Sequence, residues 1–216
     1  MNKTRIEALS DGVFSIVMTL LVIELKVPHV ETQVVDGIGL WQILFNLWPI
    51  FRSYIISFFV LAMYWTAHHA FFHLYVGKAD RRLSYINMLF LMFLSLIPFS
   101  AHLLGIYADN TTAIFIYAVN IIALGLTFYT MLRLIVNNPQ MQHENLTKRL
   151  VTQGIIRIWL PSVFALCAVC VSRYNLSLSY FLFAFPIVFN IIPGTLDSLE
   201  NFYTKILKPI LTNKKS

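Results

Sequence analysis

The chain has 216 residues, of which 58% are hydrophobic and only 12% are charged, and its mean hydropathy is +0.70. A soluble domain has about 25% charged residues, so this composition excludes an ordinary soluble protein and predicts one integral membrane domain over 1–216. The formal net charge of +6 could suggest nucleic acid, but the basic residues lie at the ends of apolar stretches, which favours membrane lipid as the partner and no nucleic acid.

Each apolar stretch is predicted to be a helix, because backbone groups inside lipid must pair within their own segment. The first stretch opens with Thr4 and Glu7, whose spacing predicts a reciprocal capping box. A polar loop over 29–39 and an amphipathic segment over 40–48 follow, and Pro49 separates them from the second span. The predicted architecture is an all-α membrane protein with six transmembrane helices, over about 4–25, 50–75, 83–105, 112–135, 149–172 and 177–196, and a tail over 197–216.

An even number of spans places both termini on the same side of the membrane. Lysine and arginine are concentrated at the N-terminus, in the second and fourth connections and in the tail, whereas the odd-numbered connections carry only Lys26 and Arg173. Positive charge favours the cytoplasmic side, so we expect a multi-pass protein of the cell membrane with both termini in the cytoplasm. Arg52 and Arg157 lie inside or near apolar spans, and we expect them to reach toward the membrane surface or to pair between subunits.

Polar and apolar residues are segregated along the first predicted helix. Its polar residues cluster at the N-terminal end, at Arg5, Ser10 and Asp11. By themselves, the residues that follow favour packing inside a helical bundle, with the Thr19 hydroxyl bonded back to its own helix. Four of them recur at i, i+3, i+4 and i+7 and therefore share one face: Ile16, Thr19, Leu20 and Ile23.

The run Arg5-x-x-x-Leu9-Ser10-Asp11 resembles the Arg-x-x-x-Phe-Ser-Asp signature of the transmembrane protein 175 family of potassium channels, with Leu9 in place of Phe. The resemblance extends through the third predicted span and implies a single six-helix repeat, as in prokaryotic members. It also implies a homotetramer in which the first helices of four subunits line a central pore. Such a protein would conduct K⁺ passively, without catalysing a reaction and without a cofactor.

The resemblance also implies roles for individual residues. Ile16, Leu20 and Ile23 would form the aliphatic constriction and gate of the pore, and Thr19 would contribute to potassium selectivity. A structural role for His68 competes evenly with a functional one, because buried polar groups need partners in any case. The resemblance further implies a polar network that ties the first helix to its neighbours, made of Arg5, Ser10, Asp11, Trp65, His68 and Asn87.

Two other functions can be weighed from the residues. A proton-permeable channel or a secondary cation transporter using Asp11 and His68 is the main alternative, although the first helix has no carboxylate between Asp11 and Glu24 and no break typical of transporters. His69 and His73 have the spacing of metal ligands, but no third ligand is evident nearby, so neither a metal site nor a hydrolase is predicted. The Thr-Val-Gly-Tyr-Gly filter of other potassium channels is also absent from the sequence.

Overall fold

The computed structural model describes residues 2–26 and 37–191, which fold into α-helices and one short 3-10 helix at Pro139–Met141. The helices are α1 (Lys3–Ile23), α2 (Gly37–Asn46), α3 (Trp48–Leu74), α4 (Arg81–Ser95), α5 (Ile97–Ile106), α6 (Thr111–Val136), α7 (Lys148–Ser172) and α8 (Leu176–Ile191). Within this part of the chain, α1, α3, the α4–α5 pair, α6 and α7 are long and apolar enough to cross a membrane, and α8 is a shorter apolar helix. The predicted all-α class is confirmed.

The predicted spans coincide with these helices, and every predicted boundary on described residues lies within two residues of a helix end. The end predicted for the sixth span, at residue 196, and the tail over 197–216 lie outside the described residues. The polar loop predicted over 29–39 needs correction at its end, because α2 already begins at Gly37; residues 29–36 lie outside the described part.

The start of α1 differs from its prediction, and the predicted capping box is wrong. Asn2 is the N-cap, and its side-chain oxygen accepts a hydrogen bond from the backbone amide of Thr4 at 3.2 Å. Thr4 therefore lies inside the first turn, where it cannot serve as the cap that pairs with Glu7. Asn110 caps α6 in the same way, by accepting from the amide of Thr112 at 2.8 Å.

Pro98 divides the third predicted span into two helices. The first of them, α4, ends at Ser95, and α5 begins at Ile97 with Pro98 in its first turn. Proline has no amide hydrogen to donate, so it is tolerated at the start of a helix but interrupts a continuous hydrogen-bond ladder. Pro49 marks the start of α3 after α2 in the same manner.

The packing of the helices leaves one side of α1 uncovered by the described residues. The central helix α6 packs against α4, α5 and α7, and α8 packs against α7 and α3. The first helix, α1, contacts α3, α4 and α5. Only one side of α1 is buried within the chain, and its buried residues recur about once per turn: Ile6, Ser10, Phe14, Val17 and Leu21.

Small polar side chains link the helices inside the bundle. The Ser53 hydroxyl donates to the Ala101 carbonyl oxygen at 2.5 Å, which joins α3 to α5. Ser57 Oγ lies 3.0 Å from the Tyr117 hydroxyl, which joins α3 to α6. Inside a membrane, apolar side chains gain little free energy when helices associate, because the lipid tails are equally apolar. Hydrogen bonds of this kind therefore help to specify which helices pair.

Two connections meet at the end of the bundle that holds the N-terminus. The α3–α4 connection pairs with the α6–α7 connection at Val76 and Gln142, and the Gly77 amide donates to the Met141 carbonyl oxygen at 2.8 Å. Lys3 Nζ donates to the Val76 carbonyl oxygen at 3.0 Å. The start of α1 is therefore tied to the two connections that the sequence predicts to be cytoplasmic.

Gly105→Ala should lower the melting temperature of the protein in detergent. At this position α5 approaches α3 so closely that an added Cβ would lie 2.9 Å from Ile50 Cα, and a backbone atom cannot move aside cheaply. We expect a loss of about 1–3 kcal/mol in the free energy of unfolding. Gly12→Ala is the matched control in a helix, because a Cβ there meets no atom within 4 Å. Equal melting temperatures for the two variants would contradict the close packing.

Candidate functional site

The exposed side of α1 carries the four residues that the sequence places on one face. Ile16 is 59% exposed, Leu20 is 42% exposed and Ile23 is 58% exposed, and Thr19 lies exposed among them. This stripe is opposite to the buried side of α1, so the described residues of the same chain do not cover it. In a membrane protein, such a face contacts lipid, another subunit or an ion pathway.

Thr19 places an oxygen in this otherwise aliphatic stripe. Its Oγ1 donates to the Ile16 carbonyl oxygen at 2.8 Å, which is the bond to its own helix that ordinary packing predicts. A hydroxyl that donates in this way still has lone pairs available as acceptors. The exposed oxygen can therefore accept from water or contact a cation on the open side of α1.

A chain of hydrogen bonds joins α3, α4 and α1 on the buried side. Asn87 Nδ2 donates to Ser10 Oγ at 3.0 Å, and the Ser10 hydroxyl donates to the Ile6 carbonyl oxygen at 2.8 Å. His68 Nε2 lies 2.8 Å from Asn87 Oδ1, which can only accept, so the imidazole carries its proton on Nε2. Ser10, Asn87 and His68 are at most 2% exposed, so this Ser10–Asn87–His68 chain is closed to solvent.

Aromatic rings enclose His68 on several sides. Its ring stacks on Phe90 with centroids 5.6 Å apart and an interplanar angle of 15°, and its centroid lies 4.8 Å from that of Phe72. Phe14, from the buried side of α1, lies 5.7 Å from His68 between ring centroids. This packing holds the imidazole in one orientation, which fits a structural role for His68 in positioning α1.

Asp11 and Trp65 form a second, separate contact between α1 and α3. The Trp65 indole Nε1 donates to Asp11 Oδ1 at 3.0 Å, and both residues are exposed. The described contacts do not join Arg5 to either group. Arg5 is exposed and lies on the same face of α1 as Leu9 and Ile16. The predicted six-residue network is thus divided within one chain into a buried group, an exposed pair and an exposed arginine.

The structure also brings together two ionisable residues that the sequence gives no reason to pair. Glu24 Oε2, at the C-terminal end of α1, lies 3.0 Å from His102 Nδ1 in α5. The contact lacks hydrogen-bond geometry and becomes an ion pair when the imidazole is protonated. Each residue lies at the end of an apolar span and they are far apart along the chain, so sequence spacing carries no signal for this contact.

The described residues contain no group of three histidine, cysteine, aspartate or glutamate side chains that could hold a metal ion. His69 and His73 lie on the exposed side of α3 with parallel rings whose centroids are 6.5 Å apart. Trp65 stacks on His69 with centroids 6.3 Å apart. The two histidines therefore belong to a stacked column of rings along α3.

Known proteins similar to this chain include several channels. Residues 5–98 match the family model described as endosomal/lysosomal potassium channel TMEM175. A protein of Streptomyces collinus named as a potassium channel is 36% identical over 137 residues, which cover 61% of this chain and 64% of that protein. A protein of Chamaesiphon minutus, also named as a potassium channel, is 39% identical over 127 residues, which cover 57% of this chain and 61% of that protein.

The matched segments span less than two thirds of the length of these bacterial relatives. The human protein named endosomal/lysosomal proton channel TMEM175 is 37% identical over 102 residues, which cover 45% of this chain and 20% of that protein. A crystal structure described as a lysosomal potassium-selective channel TMEM175 homologue from Chamaesiphon minutus covers 92% of this chain and 98% of its own, with 28% identity and a TM-score of 0.73. The structural similarity therefore extends well beyond residues 5–98.

Asn87→Leu should destabilise the protein strongly. The substitution removes the middle member of the Ser10–Asn87–His68 chain and leaves His68 without its partner in a dry site. We expect a cost of about 1–3 kcal/mol for each group left unpaired, measured as a lower melting temperature in detergent.

Two further variants sharpen this test. Ser95→Ala, on the same helix, removes an exposed hydroxyl that bonds only within α4 and should leave the melting temperature near that of the wild type. Asn87→Leu combined with His68→Phe should be less destabilising than the sum of the single changes, because both buried partners are then apolar. Additive losses would mean that Asn87 and His68 do not depend on each other.

Proposed function

We propose that the chain is a member of the TMEM175 family and that four copies of it assemble around a central pore lined by α1, through which potassium ions pass passively. The observation that carries the proposal is the uncovered stripe of Ile16, Thr19, Leu20 and Ile23, on the face of α1 that points away from its own bundle. The names of the bacterial relatives and of the similar solved channel support potassium as the ion. No reaction is catalysed in this proposal.

A single α1 helix cannot enclose a path, so the proposed pore needs several copies of the chain. Closed rotational symmetry is the usual arrangement of homo-oligomers, and it turns the same stripe of every copy toward one axis. The uncovered side of α1 supports this arrangement. The distribution of basic residues supports a place in the cell membrane with both termini in the cytoplasm.

The aliphatic residues of the stripe are suited to gating. Ile16 and Leu20 are one turn apart, and Ile23 follows on the same face. Rings of four such side chains around an axis offer an ion no oxygen to replace its hydration shell. A narrow aliphatic ring also loses its water, so it blocks ions until it widens. We therefore assign the closed constriction to Ile16, with Leu20 and Ile23 above it.

Thr19 is the residue that we assign to selectivity. Four Thr19 hydroxyls, one from each copy, would place a ring of acceptor oxygens between the aliphatic rings. Oxygen atoms around an axis offset part of the cost of removing water from a cation, and potassium is less costly to dehydrate than sodium. This assignment is the simplest account of why one polar side chain occurs within the stripe.

The polar groups behind the stripe support the pore helix in this proposal. The Ser10–Asn87–His68 chain and the Asp11–Trp65 contact hold the N-terminal half of α1 against α3 and α4. Because Arg5 lies on the pore-facing side, near the cytoplasmic end, we propose that it pairs with a neighbouring copy rather than within its own chain. Because Arg5 is positively charged and would repel a potassium ion at the pore mouth, we do not assign it to direct contact with the ion.

The alternative is proton conduction or secondary transport through Asp11 and His68, and the names of the animal relatives favour protons. A proton relay needs connected titratable groups, but His68 is bonded through Asn87 to Ser10, whereas Asp11 accepts from Trp65. A transporter favours broken helices, but α1 is continuous from Lys3 to Ile23. Proton flux that exceeds potassium flux in the same liposomes would favour this alternative.

Ile16→Asn should raise potassium flux several-fold and reduce the preference for potassium over sodium. Four amides in place of four aliphatic side chains let water remain in the constriction, so ions pass with more of their hydration shell. The measurement is potassium and sodium flux into proteoliposomes with matched protein incorporation. Unchanged flux would mean that this face of α1 does not line the ion path.

The control for this variant is Val119→Asn. Val119 is an aliphatic residue of α6 that is 47% exposed, on a helix that does not pack closely against α1. Its substitution should leave the flux at the wild-type level. Val17 would be a poor control although it adjoins Ile16, because it is 2% exposed and an amide there would be buried without a partner.

Thr19→Val should weaken the discrimination between potassium and sodium without closing the pore. Valine keeps the shape of threonine but removes the oxygen that contacts the passing ion. The expected result is a smaller reversal potential in single-channel recordings with asymmetric potassium and sodium. Thr130→Val is the matched control, because Thr130 is an exposed residue of α6 with the same bond back to its own helix. Equal reversal potentials for the two variants would exclude Thr19 from the selectivity element.

A further inference from the structure

Arg157 is a charged residue in the middle of an apolar helix, and the proposed ion pathway does not use it. It lies nine residues after the start of α7 and is half-buried. Within the described residues, its Nε atom is buried and has no hydrogen-bond partner. A charge in such a place is costly unless an opposite charge or a strong acceptor meets it, so Arg157 needs an acceptor.

A cleft of about 40 Å³ lies beside Arg157, between α3, α6 and α7. Arg157 also lines a second, smaller cavity of about 10 Å³ on the side of Met63 and Asn190. Among the described lining residues of both spaces, Arg157 is the one charged side chain. The wall of the cleft is otherwise almost entirely apolar, with Ala67, Ala70, Phe71, Leu74, Phe128, Leu132 and Ile158.

The cleft lies near the end of the bundle that holds the N-terminus. Tyr75, the residue after α3, forms one end of it, and the Tyr75 hydroxyl donates to the Leu150 carbonyl oxygen at 2.7 Å. Arg157 lies two turns of α7 beyond Leu150, and an arginine side chain of that depth reaches toward the headgroup region.

The surroundings of the cleft favour a negatively charged ligand with an apolar tail. Other basic residues lie at the same end of the bundle, including Lys78 in the α3–α4 connection, Arg133 near the end of α6 and Lys148 at the start of α7. No acidic side chain is among the described residues that line the two cavities. Basic sites of this kind between membrane helices bind the headgroups of anionic lipids.

We propose that this cleft binds an anionic glycerophospholipid, with the lipid phosphate on the Arg157 guanidinium and an acyl chain along the apolar wall. The free space is too small to enclose a lipid, so the lipid lies along the open side of the cleft and inserts only one part of a chain. The binding does not depend on the proposed pore. Only the assignment of the lipid to the cytoplasmic leaflet rests on the orientation given under the proposed function.

A lipid at this place would contact the surroundings of the candidate site. Phe128 lines the cleft, and its ring centroid lies 6.3 Å from that of His68. Ala67, on the same wall, immediately precedes His68 in α3. An acyl chain in the cleft therefore packs behind the residues that position α1.

The test is native mass spectrometry of the full chain after delipidation, with phosphatidylglycerol or phosphatidylcholine of equal chain length added at the same concentration. The wild type should retain phosphatidylglycerol about tenfold better than phosphatidylcholine, because a charge-assisted contact to Arg157 distinguishes them. Arg157→Gln should abolish this preference. Arg52→Gln is the matched control and should keep the preference. Arg52 also has a buried Nε without a partner, but its guanidinium lies 3.5 Å above the Tyr180 ring and it lines neither of the two cavities.

A second variant keeps the proposal testable if Arg157→Gln folds poorly. Ala70→Leu retains the charge but fills part of the apolar wall, so it should reduce retention of phosphatidylglycerol while the melting temperature stays near that of the wild type. Equal retention of the two lipids by the wild type, or unchanged retention by Arg157→Gln, would overturn the proposal. Absence of any retained lipid in the wild type would also overturn the proposal, and it would indicate that a carboxylate of the protein is the partner of Arg157. These readouts are lipid masses, so their failure leaves the proposed ion conduction unaffected.

Discussion

The hydrogen bonds from His68 through Asn87 to Ser10 set the rotation of α1, and the exposed stripe follows from that rotation. Successive residues of a helix are about 100° apart, so a turn of α1 by one residue would carry Ser10 away from Asn87. Asn87 and its partner would then lie unpaired in a site closed to solvent, at a cost of about 1–3 kcal/mol each. The buried polar side of α1 therefore determines which aliphatic residues remain on the opposite side.

These hydrogen bonds can set the rotation of α1 because the residues that make them are closed to solvent. Phe14, Phe72 and Phe90 surround His68, and Ser10, Asn87 and His68 are each at most 2% exposed, so solvent does not replace a lost hydrogen-bond partner. Low local polarity strengthens satisfied hydrogen bonds and raises the cost of unsatisfied ones. At the other end of α1, Glu24 and His102 are partly exposed, so their contact is weaker and depends on protonation of the imidazole. The buried polar contacts of α1 are accordingly concentrated in its N-terminal half, whereas Val17 and Leu21 hold its C-terminal half by apolar packing.

The helices were predictable from the sequence because a run of about 20 apolar residues has few alternatives in lipid. The exact helix ends were harder to predict. Asn2 and Thr4 are both favourable N-cap residues, and Pro98 is compatible with either a kinked helix or the start of a new one. Periodicity placed Ile16 and Thr19 on one face, but it does not show whether that face is covered. Ser10 and Asn87 were candidates through the family resemblance alone, because spacing within one helix carries no information about partners on another.

Exposure alone does not distinguish a pore-lining face from a lipid-facing one, because other helices also expose large apolar residues. The composition of the faces differs, however. The outward faces of α5, α6 and α8 include Phe99, Phe115 and Phe181. The large exposed hydrophobic residues of α1 and α7 are instead all aliphatic: Leu9, Ile16, Leu20, Val22 and Ile23 in α1, and Val163 and Leu166 in α7. Aromatic rings suit contact with lipid, where width is no constraint, but four of them around one axis would leave no room for an ion. The stripe of Ile16, Thr19, Leu20 and Ile23 differs from the exposed pair Val163 and Leu166 of α7 because Thr19 adds a hydroxyl oxygen, which the proposed pore needs to offset the dehydration of an ion.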